Sequence, residues 1–271
     1  MRVLVLSTPV GDAELAADRL WVAGARAVEE STSQGATAVF RTVLAEVDDV
    51  SLALLGELPP DWVVTFDEVD DAPAQTWREF VKPMVINDYL VIRPAWLPAQ
   101  RNAQVLEIEI EPGGSFGLGD HPTTRLSADA TWRLARTGSR VLDVGCGSGV
   151  LSIIAARRGA TEIVAIDIAE AAREATNDNS RRNGVSARLT VSTTPIAAVE
   201  GTFDLVVANV LAPTLVAMAG DLQRLTASDG CLVLSGVLAG RHDHVLAAME
   251  PMRVIATSEL ERWAAVELSH P

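Results

Sequence analysis

The feature that most constrains the fold is a glycine-rich turn between two apolar runs of the sequence. Residues 141–149 read Val-Leu-Asp-Val-Gly-Cys-Gly-Ser-Gly, and a second apolar run, residues 163–166, ends at Asp167. A buried strand, a glycine turn, a helix and a second strand ending in an acid form the first unit of a nucleotide-binding α/β domain. A tight connection without a ligand is the alternative for the glycines alone, and the acid after the second strand argues against it.

The glycines and the acid indicate which ligand this turn can hold. Gly145 and Gly147 allow a sharp turn and a close approach to a ligand, and Gly149 allows the following helix to pack close to the strand. Asp167 is placed to accept hydrogen bonds from two ribose hydroxyls. The spacing Gly-x-Gly-x-Gly differs from the Gly-x-Gly-x-x-Gly of dinucleotide enzymes, whose helix N-terminus faces a pyrophosphate. We therefore expect a cofactor with a ribose and no phosphate, and S-adenosylmethionine is the first candidate.

The order of the predicted elements indicates two domains. From residue 141 onward, strand-like and helix-like runs alternate, which predicts an α/β, Rossmann-like sheet that is mainly parallel and covered by helices on both faces. Residues 1–67 instead follow the order βαββαβ, with the second helix at 49–55, which predicts a small α+β (ferredoxin-like) domain. Residues 68–104 are predicted to be a linker, and residues 105–271 the cofactor-binding domain.

Composition excludes several classes of protein. The formal net charge of −14 argues against a nucleic-acid-binding surface. The longest apolar stretch, residues 203–220, is interrupted by polar residues and a proline, which argues against a membrane span. Cys146 and Cys231 are too few for a disulfide framework or a metal cluster. The apolar run at the N-terminus is too short for a secretory signal, so we expect a cytoplasmic location.

A second glycine-rich segment, residues 116–124, precedes the helix that leads to the first strand of the predicted sheet. Thr123 or Thr124 could simply cap this helix, which we expect to begin near Arg125. The functional interpretation is a mobile segment that closes over the cofactor. Phe116 would then lie against an apolar surface of the cofactor, with a threonine hydroxyl near its amino acid portion.

Asn209 ends a predicted buried strand at the edge of the sheet where such folds bind ligands. It could merely hydrogen-bond the strand end, or it could face the methyl donor and the incoming nucleophile. Val210 and Leu211 follow it, whereas methyltransferases acting on adenine amino groups or glutamine amides have Pro-Pro-aromatic. The nitrogen of an alkyl amine is a better nucleophile than that of an amide and needs less activation, so the sequence favours an amine substrate.

Five segments together resemble the PrmA family, the ribosomal protein L11 methyltransferases. In chain order they are WREFVKPM (77–84), FGLGDHPTT (116–124), VGCGSGV (144–150), VANVLA (207–212) and LSGVLA (234–239). The resemblance implies a class I methyltransferase that uses S-adenosylmethionine to methylate amines of ribosomal protein L11, both lysine side chains and the N-terminal amine. It also implies that residues 1–67 recognise the protein substrate.

The resemblance implies roles for residues across the predicted site. The predicted cofactor-binding residues are Phe116, Thr124, Gly145, Gly147, Asp167 and Asn209, of which the resemblance supplies Thr124, Gly145, Asp167 and Asn209. Asn209 is also the first catalytic candidate, because its side-chain carbonyl could orient the amine. His121 is a second catalytic candidate, for removal of a proton.

Two other functions stay open from the sequence. A methyltransferase of the same fold could act on another protein or on a small molecule, which a divergent N-terminal domain would favour. A cofactor-binding protein without catalysis is the other alternative. Its only support is that Leu118 and Asp120 stand where the family has threonines.

Overall fold

The structure is a computed structural model that describes residues 2–22, 25–32, 37–44, 58–68, 82–99, 104–111 and 121–271. The chain divides into two compact units, Met1–Val81 and Lys82–Pro271. Several predicted features lie outside the described residues. These are the helix at 49–55, Phe116, and the Leu118 and Asp120 positions.

The N-terminal unit is built on a four-stranded antiparallel sheet with the order β2-β3-β1-β4. Its described elements are β1 (Arg2–Pro9), α1 (Ala13–Val22), β2 (Ala25–Thr32), β3 (Thr37–Leu44) and β4 (Val63–Glu68). Leu4 and Leu6 are two residues apart on β1, and Ala16 and Leu20 are four apart on α1, so each pair shares one face. All four are completely buried with Phe40 in one core. This strand order is the one expected of the predicted ferredoxin-like domain.

The second unit begins with a three-stranded sheet formed by β5 (Met84–Asn87), β6 (Leu90–Pro94) and β7 (Leu106–Ile110). The strand β5 runs antiparallel to β6, and β6 runs parallel to β7. Leu90, Ile92, Ile108 and Ile110 alternate with more exposed residues and are completely buried. Residues 84–94, which the sequence places in a linker, are thus strands that pack into this unit.

A seven-stranded sheet forms the centre of the second unit, with the order β10-β9-β8-β11-β12-β14-β13. Its strands are β8 (Arg140–Val144), β9 (Glu162–Ile166), β10 (Leu189–Ser192), β11 (Phe203–Asn209), β12 (Thr226–Leu238), β13 (Arg253–Leu260) and β14 (Trp263–Ser269). The first five strands in chain order are parallel, and the β13–β14 hairpin adds an antiparallel strand, β14, beside β12. This arrangement confirms the predicted α/β, Rossmann-like fold.

The helices of this unit are α2 (Pro122–Leu134), α3 (Val150–Arg157), α4 (Glu170–Arg182), α5 (Ala212–Ala217), α6 (Ala219–Leu225) and α7 (Asp243–Ala248). Residues 212–225 form two helices that meet at Met218 and Ala219. Gly220 in the first turn of α6 has a low helix propensity, which weakens a continuous helix at this point. Within the described residues, no helix is long and apolar enough to cross a membrane.

The sheet has its topological switch point between β8 and β11. The chain runs outward from β8 through β9 to β10, and it then returns to place β11 on the other side of β8. In an open α/β sheet, ligands bind beyond the carboxyl ends of the strands at such a point. The glycine turn follows β8 and Asn209 ends β11, so the predicted site residues of both strands lie at the switch point.

Candidate active site

Two glycines hold the residue that follows Asn209. Gly145 has φ +73°, and a Cβ added to it would lie 2.5 Å from Val210 Cγ1. Gly236 has φ +87°, and a Cβ there would lie 2.2 Å from the Val210 carbonyl oxygen. An added Cβ would overlap Val210 at both positions, so both must be glycine. Val210 therefore packs between the turn that follows β8 and the irregular position within β12. Gly236 was not predicted as a site residue, although an isolated glycine in an apolar strand signals a close backbone approach.

Asn209 itself is half-buried and lies beside the glycine turn. It pairs in register with Ser235 on β12, and the preceding Ala208 pairs with Val144 on β8. The Ser235 hydroxyl lies within hydrogen-bond distance of the carbonyls of Thr123 (3.4 Å) and Ala264 (3.2 Å), and its single proton can be donated to either. The first turn of α2 therefore lies over the strand ends next to Asn209.

Asp167 contacts the glycine turn directly. Its Oδ2 accepts a hydrogen bond from Gly147 N at 3.0 Å, and its Oδ1 accepts one from Ala169 N at 2.9 Å. Gly147 has φ +54°, and both Gly145 N and Cys146 N donate to the carbonyl of Ile166, at 2.8 and 3.1 Å. Each carboxylate oxygen of Asp167 keeps a second lone pair, so the side chain can still accept hydrogen bonds from two hydroxyls.

Gly149 was expected to let the following helix pack close to the strand, and the structure shows its closest approach to a different helix. It precedes α3 with φ +79°, and a Cβ there would lie 2.7 Å from Cγ2 of Thr176 on α4. The reason is that the strand–turn–helix unit is itself covered by the next helix. The glycine is needed at that helix–helix contact as well as for its left-handed backbone.

Asp143, one residue before the end of β8, is buried beneath this turn. Its Oδ2 accepts hydrogen bonds from Ser152 N at 3.0 Å and from Ser152 Oγ at 2.7 Å. Burial raises the pKa of Asp143 to about 6, and the charge of Asp167 adds to the rise while the Ser152 bonds oppose it. No role of Asp143 could be predicted from the sequence, because strand periodicity does not reveal which polar residue is completely enclosed.

The cap of helix α2 differs from the prediction. The helix begins at Pro122, not near Arg125, and His121 is the N-cap: its Nδ1 accepts from Thr123 N at 3.3 Å and lies 2.7 Å from Thr123 Oγ1. Proline fits the first helical position, since its missing N–H would have no partner there. A threonine cap, the alternative to a functional role, is therefore not found, and both threonines lie in the first turn of the helix. The His121 ring also packs edge-on against Trp263, with centroids 5.0 Å apart.

Thr124 lies in the first turn of α2 and is almost completely buried. Its hydroxyl has no hydrogen-bond partner among the residues that the structure describes. A buried hydroxyl without a partner costs about 1–3 kcal/mol. A ligand with a polar group at this place would remove that cost, which is compatible with the predicted cofactor-binding role.

Ile168, which follows Asp167, was missed by the sequence analysis. Its side chain is 81% exposed, the highest value among the exposed large hydrophobic residues of the described chain. Exposed apolar side chains next to polar ligand-binding groups commonly contact the apolar part of a ligand. An aliphatic residue directly after the acid of the second strand is the signal that could have identified it.

Comparison with known proteins decides the family. The sequence profile of the family "Ribosomal protein L11 methyltransferase (PrmA)" matches residues 13–270. The chain belongs to this family. The resemblance found in the sequence is thereby confirmed.

Individual relatives agree with this assignment. The ribosomal protein L11 methyltransferase of Geobacter sp. (strain M21) is 40% identical over 204 residues, which cover 73% of this chain and 67% of that protein. Its namesake in Symbiobacterium thermophilum is 34% identical over 265 residues, covering 97% of this chain and 84% of that protein. For a third relative, from Geobacter metallireducens, the matched region covers only 61% of that protein's length.

A solved structure shares the fold. The crystal structure of the ribosomal protein L11 methylase from Lactobacillus delbrueckii subsp. bulgaricus superposes with a TM-score of 0.66 at 29% sequence identity. The superposition covers 70% of this chain and 99% of that one. The methyltransferase sheet predicted from the sequence is thus found in a relative of the same family.

Proposed function

We propose that this protein is an S-adenosylmethionine-dependent N-methyltransferase that methylates amines of ribosomal protein L11. The observation that carries the proposal is the family match over residues 13–270. In this chain the glycine turn, Asp167 and Asn209 also lie together at the switch point of the sheet. A cytoplasmic location and the absence of direct nucleic-acid binding are parts of the same proposal.

The residues of the site fit S-adenosylmethionine. Asp167 has lone pairs left for two ribose hydroxyls, the exposed Ile168 can cover the apolar face of an adenine, and Thr124 offers a buried hydroxyl. The charge of Asp167 contributes to the raised pKa of the buried Asp143 beside it. A carboxylate at this place suits a cofactor with positive charge and repels a pyrophosphate.

The amine must be neutral before it can accept a methyl group, which the bound cofactor supplies from its sulfonium. Deprotonating a lysine at pH 7 costs about 4.6 kcal/mol, whereas an α-amino group costs about 1 kcal/mol. The protein must therefore desolvate the amine or orient it toward acceptors, and positioning of the two reactants can supply much of the remaining acceleration. Asn209 orients the amine in our proposal, because its carbonyl oxygen can accept a hydrogen bond from the amine beside the glycine turn.

His121 is the second catalytic candidate, and its surroundings make it the weaker one. As the acceptor of the Thr123 N–H, its Nδ1 already caps helix α2. A neutral imidazole that accepts a hydrogen bond at Nδ1 carries its proton on Nε2. To act as a base at Nε2, the ring would have to move that proton to Nδ1, and the hydrogen bond that caps the helix would be lost. Asn209 needs no such change.

Methylation of purified L11 with labelled S-adenosylmethionine tests the proposed function. We expect label in L11 and none in an unrelated ribosomal protein of similar charge. Label in another protein of a cell lysate, with none in L11, would favour a different substrate for the same fold.

The variant Asp167→Ala tests the cofactor assignment separately. We expect calorimetry to show S-adenosylmethionine binding weakened by about 1.5–3 kcal/mol, the value of hydrogen bonds to a charged group. Unchanged affinity, or tighter binding of NAD by the unmodified protein, would reject the assignment.

A further inference from the structure

Asn179 in helix α4 and Asn183 directly after it each make the same pair of hydrogen bonds with the backbone at the end of β7 (residues 109–111, the β7 segment). Oδ1 of Asn183, directly after the helix, accepts from Glu109 N at 3.0 Å, and its Nδ2 donates to Glu109 O at 2.7 Å. Asn179 repeats both bonds one turn earlier, with Glu111 N and Glu111 O, each at 2.9 Å. The repeat is possible because four helical residues and two strand residues both advance about 6 Å.

The two asparagines differ in their remaining N–H. Asn183 donates it to the carbonyl of Asn179 at 2.8 Å, within its own helical segment. Asn179, which is completely buried, donates it to the carbonyl of Ser148 at 2.9 Å, in the glycine turn. A flipped Asn179 amide would place an N–H against the Glu111 N–H, so its orientation is determined.

Thr176 lies one turn before Asn179 and acts on the neighbouring peptide. This buried side chain donates from Oγ1 to the Gly147 carbonyl at 3.0 Å. The backbone N–H of Gly147 donates to Asp167, so Gly147 is bound through both its carbonyl and its N–H. The carbonyls of Gly147 and Ser148 are therefore both directed at helix α4.

We propose that Asn179 and Thr176 are positioning residues for the cofactor, because they hold the glycine turn in its binding conformation. The inference rests on the proposed function, which assigns S-adenosylmethionine to this turn. A peptide unit is planar, so directing the carbonyls of residues 147 and 148 also directs the N–H groups of Ser148 and Gly149. Without these bonds a glycine-rich backbone samples other conformations, and cofactor binding must then order it.

Calorimetry with S-adenosylmethionine on Asn179→Ala and Asn183→Ala tests the proposal. Each variant removes one pair of bonds to the β7 segment, so both are expected to lower stability, and only the first releases the glycine turn. We expect Asn179→Ala to weaken binding about 10-fold and Asn183→Ala less than about 2-fold, as for loss of a single hydrogen bond that organises the site. Equal dissociation constants for the two variants would overturn the role of Asn179.

Variants of Thr176 give an independent test that holds even if Asn179→Ala fails to fold. Thr176→Val keeps the volume and removes the hydroxyl, while Thr176→Ser keeps the hydroxyl. We expect weaker cofactor binding for the valine variant and recovery for the serine variant. The same affinity in both variants would overturn the role of Thr176.

Steady-state kinetics separates positioning from a general loss of structure. Asn179→Ala should raise KM for S-adenosylmethionine and keep kcat at saturating cofactor, whereas partial unfolding would lower kcat at constant KM. The latter result would count against the proposal. Failure of the unmodified protein to bind S-adenosylmethionine would reject the proposed function itself, whereas binding with no difference between the asparagine variants rejects only this inference.

Discussion

Asp143 and Asp167 are carboxyl groups at the ends of neighbouring strands, and their surroundings differ. Asp143 is enclosed and has one oxygen bound to Ser152, whereas Asp167 is part-buried and bound to two backbone N–H groups. Enclosure raises the pKa of Asp143 to about 6, above its ordinary value of 3.8. The two acids therefore have separate roles, one in the stability of the turn and one in ligand binding.

Asp143 should make stability depend on pH. Its folded-state pKa is raised, so the folded protein binds the proton more tightly than the unfolded chain, and stability falls as pH rises from about 4 to about 6. The loss approaches about 3 kcal/mol, at 1.36 kcal/mol per pKa unit. An asparagine at position 143 has no carboxyl group to titrate. The free energy of unfolding of Asp143→Asn, relative to that of the unmodified protein, should therefore rise by about 3 kcal/mol between about pH 4 and pH 6.

Urea unfolding at several pH values measures this difference. Asp178→Asn, on the exposed face of α4, is the matched control for removal of a carboxyl group. If Asp143→Asn and the unmodified protein have parallel pH profiles, the carboxyl group is not titrating in this window.

Asn209 should act at the chemical step. An acceptor that orients the amine acts more strongly in the transition state than on bound substrate, so Asn209→Ala should lower kcat by about 10- to 1000-fold and change cofactor affinity much less. Asp204→Ala, near the other end of β11, is the control for loss of a polar contact between strands, since Asp204 Oδ2 accepts from Arg140 N at 2.7 Å. A variant that keeps kcat and loses only affinity would make Asn209 a binding residue.

The turns after β8 and β11 are packed as one unit. Val210 fills the space that side chains at Gly145 and Gly236 would need, so the position of Asn209 depends on both neighbouring strands. Helix α4 holds the same glycine turn from its other side through Thr176 and Asn179. The site is thus built by elements that are separated in the sequence.

A double-mutant cycle tests the contact between these turns. Gly145→Ala combines backbone strain at positive φ, about 1–2 kcal/mol, with a clash against the Val210 side chain. Val210→Ala removes the clash but leaves the backbone strain, and its own loss of core packing is subtracted in the cycle. Unfolding measurements should therefore give a coupling energy between the two changes of about 1 kcal/mol.

The control for this cycle is Gly138→Ala. Gly138 has φ +87° and no atom within 4 Å of an added Cβ, so its substitution should cost the backbone strain alone. Strictly additive effects of Gly145→Ala and Val210→Ala would show that the turns relax independently.

Each of the two units has its own buried core, Leu4, Leu6 and Phe40 in the first and two larger clusters in the second. A protein of residues 72–271 contains the whole second unit, including all described site residues. It should keep its affinity for S-adenosylmethionine and lose methylation of L11 if the N-terminal unit recognises the protein substrate. Equal turnover of L11 by the short and full-length proteins would contradict that role.

Local patterns in the sequence were enough to predict much of this protein. Short apolar runs predicted the strands of both units, and the glycine turn with Asp167 predicted the α/β fold and the edge of the sheet that carries the site. These features depend on residues that are close in the sequence, where spacing translates directly into geometry. The family could be predicted for the same reason, since its motifs are short contiguous segments.

Only the tertiary structure decided which distant residues meet. The packing of Val210 against Gly236, the enclosure of Asp143, and the bonds from Asn179 to Glu111 and Ser148 join different elements. The cap of α2 was mispredicted because several neighbouring residues can cap a helix and the chain path selects one. No periodicity records such contacts, because they arise when the strands and helices pack together and each buried polar group must find its partner.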